Sequence, residues 1–198
     1  MTSLFQLALC YAAEQHAGQF RKGLGTPYFA HPLQVAGLVL EFGGTEQAAM
    51  AAVLHDVLED CGGMPRYEEI TTQFGPAVAK LVLECSEDLT LPKVAWRARK
   101  EATLAKIPRL TEAAQLIVAC DKLHNLRSLI VELRALKLTR DDRSLEIFWG
   151  RFRGGQAGTI WYYQEIVNAL SQSRIPASLV GEMQARSHEF QDVAAGRS

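Results

Sequence analysis

Residues 51–60 read AAVLHDVLED, and this stretch decides how the rest of the chain is interpreted. Over residues 48–58 the apolar side chains leave no polar stripe, which predicts a helix buried on all its faces. Four ionisable side chains lie at the C-terminal end of this helix: His55, Asp56, Glu59 and Asp60. An uncompensated buried charge costs several kcal/mol, so a cation is expected among them. A divalent metal is the simplest candidate, and the alternative is a hydrogen-bonded core histidine beside a capping aspartate.

Two further residues complete a predicted ligand set. His31 precedes Pro32, and proline is tolerated at the start of a helix, so His31 is predicted at a helix start. Asp121 follows the apolar run LIVAC at 116–120. The predicted ligands are two imidazoles and two carboxylates: His31, His55, Asp56 and Asp121. This mixed nitrogen and oxygen set suits Mn²⁺, Fe²⁺ or Zn²⁺ better than Ca²⁺ or Mg²⁺, and we expect one ion, Mn²⁺. Four protein ligands leave water positions on a six-coordinate ion, which is typical of a catalytic site.

The order His, His-Asp, Asp and the residues around it resemble a known family. The matching blocks are HAGQFRK at 16–22, TPY at 26–28, HP at 31–32, LHDVLED at 54–60 and DKLHNLR at 121–127. In this order they resemble the HD phosphohydrolase superfamily, and within it the hydrolase domain of RelA/SpoT enzymes, especially the stand-alone small alarmone hydrolases. The resemblance extends from about residue 8 to about residue 130. It implies the HD-domain helical fold and a metal-dependent hydrolase that removes pyrophosphate from the 3′ position of (p)ppGpp or (p)ppApp.

Glu59 and Asp60 are the predicted catalytic pair. Acidic residues are unfavourable at a helix C-terminus because of the helix dipole, so two of them there favour a functional role over capping. A carboxylate near a metal-bound water can orient that water or accept its proton. The resemblance also assigns this pair to catalysis.

The predicted substrate contacts are cations and hydrogen-bonding side chains near these motifs. Arg21 and Lys22 lie in a glycine-rich loop, where two cations are also commonly just solvated. The resemblance implies that they contact a nucleotide and that Lys93 lies near its phosphates. Asn125 and Ser128, one and two turns after Asp121, are predicted to hydrogen-bond the ribose. Arg151 and Tyr162, in the glycine- and aromatic-rich segment 148–163, are weaker candidates, because such aromatic residues more often belong to the core. His16 is predicted to support the Arg21 loop.

Helical periodicity dominates the sequence, and the prediction is an all-α fold, a single HD-domain bundle of about ten helices. Proline and glycine positions help to place the helix ends. The predicted helices cover residues 3–18, 32–42, 46–60, 67–74, 76–86, 92–106, 111–136, 142–151, 158–172 and 176–190. A single domain is predicted over 1–190, with a disordered tail at 191–198.

Composition excludes several classes of protein. With 21 Lys and Arg against 22 Asp and Glu, the chain lacks the basic excess expected of a general nucleic-acid binder. The N-terminus does not read as a signal peptide, and no apolar run is long enough to span a bilayer. The four cysteines are widely spaced, which predicts neither disulfides nor a zinc knuckle. We therefore expect a cytoplasmic protein with a small polyanionic nucleotide as its partner; the sequence leaves the oligomeric state open.

Two other functions compete with alarmone hydrolysis. One is an HD phosphatase that acts on NADPH, whose ribose phosphate resembles that of an alarmone, or on other nucleotides. The other is a catalytically silent alarmone-binding module. The intact Glu59–Asp60 pair argues against the silent module, because a degenerate homologue would be expected to have lost it.

Overall fold

The computed structural model describes residues 1–23, 25–87, 95–139 and 142–197. Within these ranges the regular structure is helical, apart from an isolated antiparallel bridge between Phe20 and Pro27. The helices are α1 (Ser3–Gln15), α2 (Ala30–Glu41), α3 (Glu46–Leu54), α4 (Val57–Asp60), α5 (Met64–Phe74), α6 (Pro76–Cys85), α7 (Trp96–Lys106), a 3-10 turn (Ile107–Arg109), α8 (Glu112–Thr139), α9 (Asp142–Gly150), α10 (Gly155–Ser171) and α11 (Ala177–Ala194). The predicted all-α fold is confirmed.

The continuous helix predicted over residues 46–60 is wrong, because the chain breaks it at His55 and Asp56. α3 ends at Leu54, and the single turn α4 begins at Val57. The Ala52 carbonyl, which is the acceptor of the Asp56 amide in a continuous helix, accepts a hydrogen bond from His55 Nδ1 at 2.8 Å. A side chain that competes for a backbone partner in this way favours a break. The His-Asp pair therefore lies in a short connection between two helices.

The first compact unit comprises Met1–Lys93 and Arg109–Asp121. Its central element is α3, which packs against α1, α2 and α6. Every residue from Ala48 to Leu54 is buried, as the sequence predicts, and full burial of side chains such as Leu54 contributes about 1.5–3 kcal/mol each. Thr45 caps α3 by accepting a hydrogen bond from the Ala48 amide at 3.2 Å. This buried helix ends where the His-Asp pair begins, so its packing fixes the position of that pair.

The second unit comprises Val94–Pro108 and Lys122–Ser198, and it contains Trp96, Trp149 and Trp161. Its central helix, α10, packs against α7, α9 and α11. The start of α10 is rich in glycine because the Trp96 ring lies on its backbone: a Cβ atom at Gly154 would lie 2.6 Å from the ring, and one at Gly158 would lie 3.1 Å from it. The glycine- and aromatic-rich segment therefore serves packing within this unit.

Helix α11 continues to Ala194, four residues beyond the predicted end of the ordered domain at 190. Phe190 and Val193 are both buried, and this accounts for the continuation. The assignment of residues 1–190 to a single domain stays a prediction. Among the helices of the described ranges, none combines the length and the apolar character that crossing a membrane requires.

Candidate metal centre

Four side chains of the first unit converge on one point, and they are the four predicted ligands. His31 lies in the first turn of α2, His55 and Asp56 connect α3 to α4, and Asp121 lies on α8. His31 Nε2 is 3.2 Å from Asp121 Oδ1 and 3.6 Å from Asp56 Oδ2. His55 Nε2 is 3.0 Å from Asp56 Oδ2 and 4.0 Å from Asp121 Oδ1. The two histidines are 2% and 5% exposed, so the cluster lies in a largely water-excluded position.

The hydrogen bond from His55 to the Ala52 carbonyl fixes the tautomer of this imidazole. A carbonyl oxygen only accepts, so Nδ1 must carry the proton in that contact. In the neutral ring Nε2 then keeps its lone pair and directs it at the two carboxylates. A histidine held through one nitrogen and free to ligate through the other is the usual arrangement at metal sites.

The charges and the burial of the cluster favour a positive charge within it. Burial lowers the pKa of His31 below its usual value, which favours the neutral, ligating form. Burial also acts to lower the pKa of His55, but the Asp56 and Asp121 carboxylates outweigh it and raise that pKa to about 9. The same contact with His55 holds the pKa of Asp56 below its usual range, against the effect of its own burial. The two carboxylates therefore favour positive charge at His55, as they would favour a bound cation.

The residues present fit a divalent transition metal. Ligand atoms of His31, His55 and Asp56 all lie within 4.8 Å of one another, and Asp121 Oδ1 contacts both imidazoles. Two imidazole nitrogens and two carboxylate oxygens form a set that such metals accept readily. The cluster could therefore hold a metal ion.

Glu59 and Asp60 lie in the single turn α4, directly after the His-Asp pair. Glu59 Oε1 accepts a hydrogen bond from the Glu87 amide at 2.7 Å. Partial burial and the nearby Asp56 carboxylate raise the pKa of Asp60 above its usual value. Since α4 is one turn long, these acids do not end a long helix, and the predicted conflict with its dipole is wrong. Their placement beside the cluster and the family resemblance are the remaining arguments for a catalytic role.

Tyr28 is a residue of this site that the sequence interpretation missed. Its hydroxyl donates a hydrogen bond to Asp56 Oδ2 at 2.7 Å. Burial and the negative charges of Asp56 and Asp60 raise the pKa of Tyr28 far above its usual value, so the hydroxyl is a neutral donor. The signal in the sequence is its position three residues before His31, which puts a donor close to the ligand at the start of α2.

The loop that carries Arg21 and Lys22 closes as a short hairpin onto Tyr28. The Arg21 amide donates to the Thr26 carbonyl and the Tyr28 amide to the Gln19 carbonyl, both at 2.9 Å. The Arg21 guanidinium lies 6.0 Å from the centroid of the Tyr28 ring. The His16 ring lies 4.9 Å from that of Tyr28 and contacts the Gln19 side chain, in agreement with its predicted supporting role.

The other predicted contacts lie in the second unit or outside the described residues. Asn125, one turn after Asp121 on α8, is partly buried. The Ser128 hydroxyl donates to the His124 carbonyl of the preceding turn at 3.0 Å. Arg151 forms an ion pair with Glu132 at 2.6 Å, so its guanidinium binds a side chain of the same unit. Tyr162 is buried, with the Lys100 ammonium 4.8 Å from its ring centroid. Lys93 lies outside the described residues.

A family model described as HD domain matches residues 8–149, well over half of the chain. The chain belongs to the HD domain family. The family predicted from the matching sequence blocks is thereby confirmed.

This HD domain is similar to proteins named for alarmone hydrolysis. Over 122 residues it is 41% identical to the guanosine-3′,5′-bis(diphosphate) 3′-pyrophosphohydrolase MESH1 of Xenopus tropicalis, and 38% identical to that of Homo sapiens. Each match covers 60% of this chain and 65% of the relative, so it spans just under two thirds of the length of these proteins. A solved structure, described as a metazoan ortholog of SpoT that hydrolyzes ppGpp and plays a role in starvation responses, matches with a TM-score of 0.73 and 27% identity, and covers 95% of this chain and 96% of that one.

Proposed function

We propose that this HD domain is a metal-dependent hydrolase that removes pyrophosphate from the 3′ position of a guanosine or adenosine alarmone, of the (p)ppGpp or (p)ppApp type. The observation that carries the proposal is the convergence of two imidazoles and two carboxylates beside an acidic pair. The similarity to relatives named as 3′-pyrophosphohydrolases supports the choice of substrate. The expected partner is thus a small nucleotide.

The proposed ligands of one divalent ion are His31, His55, Asp56 and Asp121. We favour Mn²⁺, because the set mixes imidazole nitrogen with carboxylate oxygen. When bound, such an ion supplies a water of lowered pKa and offsets the negative charge of the phosphates.

The two acidic residues have different proposed roles toward the attacking water. Asp60 is the proposed proton acceptor, because its raised pKa lies closer to neutrality, where a general base is most effective. Glu59 is the proposed orienting group, because the Glu87 amide holds one of its carboxylate oxygens in place. The side chains of both residues are accessible, so a substrate phosphate can approach them.

Arg21 and Lys22 are the proposed holders of the nucleotide. The hairpin fixes the Arg21 backbone, while the Lys22 side chain is exposed. Asn125 and Ser128 stay proposed substrate contacts because they follow Asp121 by one and two turns of α8, and Lys93 stays one because of the family resemblance.

Replacing Arg21 by alanine is expected to lower kcat/KM for the alarmone by the equivalent of about 1–3 kcal/mol, the scale of a lost hydrogen bond from a charged group. Steady-state kinetics with ppGpp measures this loss, and Mn²⁺ affinity should not change. Arg109→Ala, which removes an exposed arginine elsewhere in the first unit, is the matched control. Wild-type kinetics in an Arg21→Ala, Lys22→Ala double variant would show that neither residue contacts the nucleotide and that both are solvated loop residues.

Identifying the bond that breaks is the decisive test of the proposed reaction. Water attacks the phosphorus next to the ribose 3′ oxygen, the P–O bond to that oxygen breaks, and the 3′ oxygen leaves with a proton as a free hydroxyl. The motif contains neither a serine nor a cysteine nucleophile, so we expect direct attack by water. In ¹⁸O-labelled water, phosphorus NMR should therefore find the label in pyrophosphate, and the nucleoside 5′-di- or triphosphate product should be unlabelled.

The same assay separates the competing functions. A panel of 3′-diphosphorylated nucleotides, NADPH and other 2′- or 3′-monophosphorylated nucleotides is incubated with metal-loaded protein, and the products are resolved by chromatography. Orthophosphate as the first product, with NADPH as the preferred substrate, would replace the alarmone reaction with a phosphatase reaction. Tight alarmone binding without turnover would identify a silent binding module.

A further inference from the structure

The Tyr28 hydroxyl holds the Asp56 oxygen on which the cluster is centred. Tyr28 donates to Asp56 Oδ2 at 2.7 Å. That same oxygen lies 3.0 Å from His55 Nε2 and 3.6 Å from His31 Nε2. A carboxylate can rotate about its terminal bond, and a short hydrogen bond to a charged oxygen holds it in one orientation. The oxygen that Tyr28 holds is therefore the one that faces both imidazoles.

The Tyr28 ring is held in place independently of its hydroxyl. It packs against the rings of His16 and His31, whose centroids are 4.9 Å and 5.9 Å away. Its amide donates to the Gln19 carbonyl at 2.9 Å, which closes the hairpin. A phenylalanine at this position would keep the ring and the backbone contacts. The effect of the hydroxyl on Asp56 can thus be separated from the effect of the ring on the fold.

We propose that Tyr28 is a positioning residue of the metal centre, whose hydroxyl fixes the Asp56 carboxylate toward His31 and His55 and so raises the affinity of the site for a divalent metal. This inference rests on the metal-binding part of the proposed function. Loss of a group that hydrogen-bonds to a metal ligand typically weakens metal binding by about 10–100-fold.

Calorimetric titration of metal-free protein with Mn²⁺ tests this role without any assay of activity. Tyr28→Phe is expected to raise the Kd for Mn²⁺ by about 10–100-fold. The chain offers a matched control in Tyr11, which donates to Glu69 Oε2 over the same 2.7 Å and links α1 to α5. Tyr11→Phe removes the same kind of hydrogen bond and is expected to leave the Kd unchanged.

Two spectroscopic measurements separate positioning from a merely structural role. With Co²⁺ in place of Mn²⁺, the visible absorption spectrum reports ligand geometry, and it should change in Tyr28→Phe and not in Tyr11→Phe. In the Tyr11→Phe background, Zn²⁺ should shift the ultraviolet absorption of tyrosine, because Asp56 shares its charge with the metal while Tyr28 donates to it. This last measurement does not depend on the folding of a Tyr28 variant.

The possible outcomes are distinguishable. A folded Tyr28→Phe variant with wild-type Mn²⁺ affinity and a wild-type Co²⁺ spectrum overturns the role of Tyr28 and leaves the metal centre in place. The absence of a tyrosine difference spectrum on Zn²⁺ binding also overturns it. Failure of the wild-type protein to bind Mn²⁺ or Co²⁺ would instead contradict the proposed function.

Discussion

Replacement of His55 or Asp121 by alanine is expected to abolish metal binding and hydrolysis together. Each change removes one of four converging ligands and leaves its neighbours without a shared cation. The wild-type protein should bind about one Mn²⁺ per chain, measured by equilibrium dialysis and metal analysis. Because the ion binds only the folded chain, 100 Kd of free metal should add about 2.7 kcal/mol of stability. For a chain of this size that corresponds to a rise in Tm of roughly 5–10 °C.

His188→Ala is the matched control for His55→Ala, because it removes an exposed histidine on α11. It should keep the metal, the activity and the metal-dependent rise in Tm. Full activity after exhaustive chelation, or in either ligand variant, would contradict the metal assignment. If a variant keeps activity but loses the rise in Tm, the stabilising ion does not bind at the catalytic site.

Glu59→Gln and Asp60→Asn are expected to retain the metal and to lose roughly 10²–10⁴ in turnover, the range for a missing general acid–base group. Both substitutions keep the size of the side chain and remove its charge. Asp60→Asn should have the larger effect if Asp60 accepts the proton, whereas Glu59→Gln keeps a carbonyl oxygen that can still accept from the Glu87 amide. Single-turnover kinetics and Mn²⁺ titration of the same preparations measure chemistry and binding separately.

Glu68→Gln, which neutralises an exposed acid on α5, is the control for this pair. Its turnover should equal that of the wild type. If Glu59→Gln and Asp60→Asn lose the metal outright, these residues are ligands, and the division between ligands and catalytic acids is wrong. Equal turnover in all three variants would leave the reaction without an identified base.

The buried helix and its terminal cluster could be predicted from sequence because their signal is local. A run of buried alanine, valine and leucine that ends in His55 and Asp56 is costly unless something compensates the charge. The order of His31, Asp56 and Asp121 along the chain then indicated a shared site. The buried helix follows from residue type and spacing, and the shared site follows from the resemblance of this order to the HD superfamily.

The break between α3 and α4 could not be predicted in this way. Residues 48–60 contain neither glycine nor proline, and their propensities favour a continuous helix. We attribute the break to the hydrogen bond from His55 to the Ala52 carbonyl, a contact that requires the orientation the imidazole has in the buried site. The contact of Tyr28 with Asp56 could not be predicted for a similar reason, since it joins residues 28 positions apart.

Trp96, Trp149 and Trp161, the chain's three tryptophans, all belong to the second unit, whereas the four proposed ligands belong to the first. Tryptophan emission therefore reports on one unit while metal binding acts on the other. If the two units unfold as one cooperative block, saturating Mn²⁺ will raise the midpoint followed by emission as much as the midpoint followed by circular dichroism. If they unfold separately, emission will not respond to the metal. Because the tryptophans and the metal ligands belong to different units, thermal unfolding followed by fluorescence measures whether the two units unfold cooperatively.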